Sequence, residues 1–125
     1  MAAMAESKLQ IQVRDLDDIA ILVLTGEMLL DDGDLAFRRQ VHDLIDKGRV
    51  KILVDLAGVT YIDSSGIGMM AAKLKTVRDK GGDLRLLRLN PRGQRMLALV
   101  KLRTTFEIFD DEAAAARSFA VRPHG

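Results

Sequence analysis

The sequence predicts an α/β fold: a mixed β-sheet of about five strands, opened by an antiparallel hairpin and continued by alternating strands and helices, with about four helices covering it. Three observations predict it. Two apolar runs of strand length stand side by side near the start, separated only by a short acidic turn. Beyond them the hydrophobic pattern switches between a period of two and the helical period of about 3.6 residues. The helical stretches begin at Asp or Asn-Pro signals, and the first two stop at glycines.

In the opening strand Leu9, Ile11 and Val13 alternate with Lys8, Gln10, Gln12 and Arg14, as a half-buried strand requires. Asp15-Leu16-Asp17-Asp18 then turns the chain, and Ile19 to Leu24 forms a more buried strand that Gly26 ends. From Asp34 the period changes: Phe37, Val41, Leu44 and Ile45 share one helix face, with Asp31, Asp32 or Asp34 as cap and Gly48 at the left-handed exit. Val50 to Leu56 is the third strand. A helix from Ser65 to about Lys80 stops at Gly81-Gly82, and Leu84 to Leu89 is the fourth strand. Asn90 caps a helix whose first residue is Pro91 and which carries Met96, Leu97 and Val100. Phe106 to Phe109 is a short last strand, and Asp110 or Asp111 caps an alanine-rich helix ending near Phe119. The expected organisation is a flexible leader at 1–8, one domain at 9–119 and a flexible tail at 120–125.

Composition narrows the chemistry. The 125 residues carry 19 basic and 18 acidic side chains, which speaks against a dedicated nucleic-acid binder. The balance hides a split: residues 1–62 hold seven basic and eleven acidic groups, residues 63–125 twelve and seven. Such a dipolar distribution suits docking onto protein partners. Without cysteine there are no disulfides, thiolate metal sites or cysteine nucleophiles. No run approaches the roughly 18 apolar residues of a membrane span, and Met1 to Ser7 lacks the pattern of a signal peptide. A cytoplasmic protein without membrane association is expected.

Several sites are absent. His42 and His124 are far apart and would need carboxylates to hold zinc. Asp31-Asp32-Gly33-Asp34 lacks the spaced oxygen ligands of a calcium loop and fits helix capping better. No P-loop occurs, and the nucleophile elbow G-x-S-x-G fails at Ser64 and Ser65, where Ile62 and Asp63 stand in the first glycine position. Neither a metal nor a cofactor is expected, nor enzymatic activity. Arg85, Arg88, Arg92, Arg95, Lys101 and Arg103 read as a solvated face, because stacking aromatics are scarce beside them.

The informative segment runs from Val54 to Gly68, where an apolar strand ends, a short loop turns and Asp63-Ser64-Ser65-Gly66 opens a helix. At about 100° per residue, Ile67, Met70, Ala71, Leu74 and Val77 fall opposite Ser65. Gly68, Met69, Ala72 and Thr76 share the serine's side, flanked by Lys73 and Lys75. Ser65 is therefore expected to face solvent. Capping by Asp63 or Ser64 explains part of the motif. It explains neither the second serine nor a small, apolar strip where a solvated helix would show charge; a protein-docking surface explains both.

Tyr61-Ile62-Asp63-Ser64-Ser65-Gly66-Ile67-Gly68 resembles the phosphorylation motif of anti-sigma factor antagonists of the STAS domain family. The resemblance extends from about Leu9 to Phe119 and includes Leu24-Thr25-Gly26-Glu27, Gly81-Gly82 and Phe106-Glu107-Ile108-Phe109. It implies a non-enzymatic partner switch. In that family the unphosphorylated protein binds an anti-sigma factor that is also a serine kinase, releasing the sigma factor. The kinase phosphorylates the motif serine and a PP2C-like phosphatase restores it. Carried over, the acceptor is Ser65, with Ser64 as fallback, and Asp63 supports the loop and kinase recognition; together with the helix face projected above, the expected partner-binding residues are Asp63, Ser64, Gly66, Gly68, Met69, Ala72 and Lys73. One position departs: relatives place Asp or Asn three residues after the glycine of the Gly26 segment, where this chain has Leu29. Two other classes stay open, a STAS scaffold or adaptor subunit of a larger signalling or transport complex, and a small ligand-binding or enzymatic α/β domain.

Overall fold

A computed structural model describes residues 9–28 and 32–120, with the main chain alone for 32–34. The order is β1 (Leu9–Leu16), β2 (Ile19–Met28), α1 (Asp32–Asp46), β3 (Lys51–Ile62), α2 (Ser64–Asp79), β4 (Asp83–Leu87), α3 (Pro91–Leu99), β5 (Ile108–Phe109) and α4 (Glu112–Ala120). The five strands lie side by side in chain order. β1 and β2 are antiparallel, and every later pair is parallel. The expected mixed sheet with four helices is the observed one. Leader residues 1–8, tail residues 121–125, Leu29 and Asp31 lie outside the described residues.

Alternation along the strands sends two sets of side chains to two faces. Leu22, Leu24, Val54, Leu56, Leu84 and Leu86 meet Phe37 and Val41 of α1, Ile67, Met70 and Leu74 of α2 and Leu97 of α3 in the main core. Ile21, Leu53 and Leu87 point the other way and meet Ala115 and Phe119 of α4. Three helices cover one face. On the other, α4 alone covers a smaller core.

Boundaries differ from expectation where pairing overrides local composition. The first turn shortens to Asp17-Asp18, with Asp17 at φ 55°, because pairing with β2 carries β1 on to Leu16. Gly26 does not end β2. It sits inside the strand at a register shift, at φ 111°, and pairing with β3 continues to Met28. For the same reason β3 runs to Ile62, so the loop expected after Leu56 is strand. β5 shrinks to two residues, Ile108 and Phe109, paired with Leu86 and Leu87.

Helix ends follow the cap signals. Asn90 Oδ1 accepts from Gly93 N–H at 2.7 Å with Pro91 in the first turn, and Asp111, not Asp110, accepts from Ala114 N–H at 2.8 Å. The exits of α1, α2 and α3 share one closure, in which the sixth residue's N–H returns to the first carbonyl. Arg49 bonds Leu44 O, Gly82 bonds Val77 O and Leu102 bonds Leu97 O, each at 2.8–3.0 Å. The left-handed residue is Gly48, Gly81 and Lys101 respectively.

Candidate functional site

β3 delivers the chain to Asp63, which leaves the strand in an extended conformation, φ −94° and ψ 178°, and becomes the N-cap of α2. Its Oδ1 accepts the Gly66 N–H at 2.8 Å and the Ser65 Oγ–H at 2.6 Å. The cap is Asp63 and not Ser64, which stands exposed at the first helical position. Ser65 is half-buried with its hydroxyl turned back onto the cap. That corrects the expectation that it simply faces solvent: projecting a periodicity ignores the lean of helical side chains toward the N-terminus, here reinforced by a charge-assisted bond.

The main chain at this corner is clamped to β2. Asp63 N–H donates to Met28 O at 3.3 Å, and Asp63 O accepts from Ile67 N–H at 3.1 Å. Gly66 is buried, and a Cβ there would lie 2.8 Å from Met28 O and 3.0 Å from Ile62. Only glycine permits this approach.

Farther along α2, Ile67, Met70, Leu74 and Val77 are buried, as the periodicity predicts. Gly68 and Ala72 are exposed, and a Cβ on Gly68 would meet nothing within 4 Å. Met69 is half-buried against the main core. Lys73 Nζ lies 2.9 Å from His42 Nε2 of α1, so this flank of the strip is an inter-helix contact. Lys75 pairs with Asp79 within the helix.

Of the basic residues expected on a solvated face, Arg88, Arg92, Arg95, Lys101 and Arg103 are exposed, and Arg85 is the exception. Arg85 is buried, bonded to Asp83 at 2.8 Å with its guanidinium 4.7 Å from the Phe119 ring centre. Arg88 reaches Asp55 at 3.4 Å, and Arg92 stacks over Tyr61 at 5.0 Å. Alternation along β4 points Arg85 to the α4 side, a signal the sequence carried. The Arg92–Tyr61 stack had none. Among the described residues no group of three His, Cys, Asp or Glu side chains is placed to hold a metal, and no helix is long and apolar enough to cross a membrane.

The site is thus a strand-to-helix corner at which Asp63 caps α2 and a serine pair opens it. The STAS domain profile matches residues 10–115, and the chain belongs to that family, whose anti-sigma factor antagonists are non-enzymatic regulators. It is 28% identical over 114 residues to the anti-sigma F factor antagonist of Paenibacillus polymyxa, covering 90% of this chain and 97% of that one. A Thermotoga neapolitana homologue of TM1081 is 34% identical over 95 residues, 75% and 83% of the two chains. The crystal structure of TM1081 from Thermotoga maritima superposes with a TM-score of 0.79 at 27% identity, over 89% and 95% of the two chains.

Proposed function

We propose that the protein is an anti-sigma factor antagonist working by partner switching. Unphosphorylated, it binds an anti-sigma factor that is also a serine kinase and releases the sigma factor; phosphorylation of Ser65 ends the interaction, and a PP2C-like phosphatase restores it. The setting is the cytoplasm. The observation that carries the reading is the Ser65 hydroxyl, held by Asp63 in the first turn of a helix and beside the exposed Gly68 and Ala72. The similarity to the Paenibacillus antagonist supports the role.

The physics of the switch is local. A phosphate adds about −1.5 to −2 charges. Helix N-terminal N–H groups favour such an anion by about 0.3–1 kcal/mol at an exposed position, so the fold persists. A partner packed over Gly68 and Ala72 must instead desolvate the phosphate, which costs several kcal/mol unless the partner supplies cations. About 3–4 kcal/mol lowers affinity by two to three orders of magnitude.

Incubation with the cognate kinase and ATP, followed by peptide mass mapping, is expected to place one phosphate on Ser65. Labelling of Ser64 alone moves the acceptor by one residue, and no phosphate on either serine refutes the switch. Ser65→Asp is expected to lose kinase binding with an unchanged circular dichroism spectrum.

A further inference from the structure

We propose that phosphorylation of Ser65 evicts the Asp63 carboxylate from the N-terminus of α2, and that the phosphate takes over its capping role. The proposal deepens the reading above and rests on Ser65 being the acceptor. A single oxygen, Asp63 Oδ1, serves both the Gly66 N–H and the Ser65 hydroxyl, at 2.8 and 2.6 Å. The shorter bond exists only while Ser65 Oγ carries its proton.

In the transfer, Ser65 Oγ forms a bond to the γ-phosphorus of a nucleoside triphosphate. The bond from that phosphorus to the bridging oxygen breaks, its electron pair leaves on the diphosphate, and the hydroxyl proton passes to a base of the kinase. Ser65 Oγ is then an ester oxygen without hydrogen. It faces a carboxylate oxygen at a hydrogen-bonding separation, and a dianion is attached to it. That arrangement is repulsive, so one of the groups moves.

The main chain does not have that freedom. Met28 O holds the Asp63 N–H, Asp63 O holds the Ile67 N–H, and Gly66 lies against Met28 with no space for even a Cβ. The phosphate can turn about the Ser65 side-chain torsion, but over the first turn it keeps the free N–H groups that favour an anion. The Asp63 side chain is the other group that can turn without moving the main chain. Between two anions competing for the same N–H groups, the phosphate has the larger charge and more acceptor oxygens. The modified surface therefore presents two changes at once, a phosphate seated on the helix and a carboxylate turned away from it.

The test is a double-mutant cycle in which phosphoserine is genetically encoded at position 65 and combined with Asp63→Ala. In the unmodified protein the substitution removes the cap, and Tm is expected to fall by several degrees. In the phosphorylated protein the same substitution is expected to leave Tm unchanged or raise it. An equal fall in both backgrounds overturns the proposal. Asp63→Asn keeps a capping oxygen and covers the case in which Asp63→Ala does not fold. With it, the Gly66 amide resonance is expected to shift in the unmodified protein. In the phosphorylated protein that resonance is expected to ignore residue 63 and follow the phosphate's second ionisation near pH 6. A Gly66 resonance that tracks residue 63 in both forms also overturns the proposal. The cycle needs no kinase, so its failure is distinct from failure of the kinase labelling that tests the reading beneath it.

Discussion

At the scale of single residues, two glycines with opposite roles sit only two positions apart in sequence. Gly66 is required by packing: a Cβ would press on Met28 O at 2.8 Å, against main chain that cannot yield. Gly68 is required by nothing inside the molecule. It is exposed, helical and surrounded by open space, so it costs the helix about 0.8–1 kcal/mol relative to alanine. Gly66→Ala is therefore expected to lower stability by about 1–3 kcal/mol, and Gly68→Ala to raise it by about 0.5–1 kcal/mol, both read from urea unfolding midpoints. A Gly68→Ala variant no more stable than the parent would show an internal role for that glycine. The motif itself was legible, because Asp-Ser-Ser-Gly after an apolar strand names both cap and helix start. The direction of the Ser65 hydroxyl was not, since it depends on one particular hydrogen bond and not on periodicity.

At the scale of elements, helices were more legible than strands. Asn90-Pro91, Gly48 and Gly81 announce helix ends by conformations that few other residues adopt. Strand ends are set by partners. β2 and β3 lengthen each other past Gly26 and Leu56 because each supplies the other's hydrogen bonds, and a single sequence does not display that mutual extension. Lys101 shows the limit of cap reading from the other side. It occupies the left-handed position closing α3, at φ 63°, in the geometry that Gly48 and Gly81 occupy elsewhere, and a lysine gives no sign of it. Lys101→Gly relieves that conformation but loosens the unfolded chain. The net is an expected gain of about 0.5–1 kcal/mol, measured by thermal or urea unfolding, and a loss of stability would mean that the Lys101 side chain holds α3 in place.

At the scale of the whole molecule, the outer face of the sheet depends on one short helix and on a tie to the edge strand. Arg14 of β1 grips both carboxylate oxygens of Glu112 in the first turn of α4. Hydrogen bonding to Arg14 holds the Glu112 carboxyl below its ordinary value of 4.5 and raises that of the guanidinium. Because the folded-state value is depressed, the stabilisation is fully present above the unfolded glutamate's range and is lost as pH falls through the folded value. Lys51 depresses Asp18 in the same direction. Glu112→Gln is expected to cost about 0.2–1 kcal/mol at pH 7, with the difference from the parent shrinking as pH falls below about 4.5. A difference that stays constant down to pH 3 would show that the carboxylate's charge is not what ties α4 to the sheet. The clamp of Asp63 and Gly66 onto the end of β2 carries a further consequence. Because the main chain there is tied to β2 and packed without room for a Cβ, the proposed modification of Ser65 is expected to act through the surface it alters and not through a shift of the sheet. The face under α1, α2 and α3 would then carry the signal, while the face under α4 keeps the same shape in both forms.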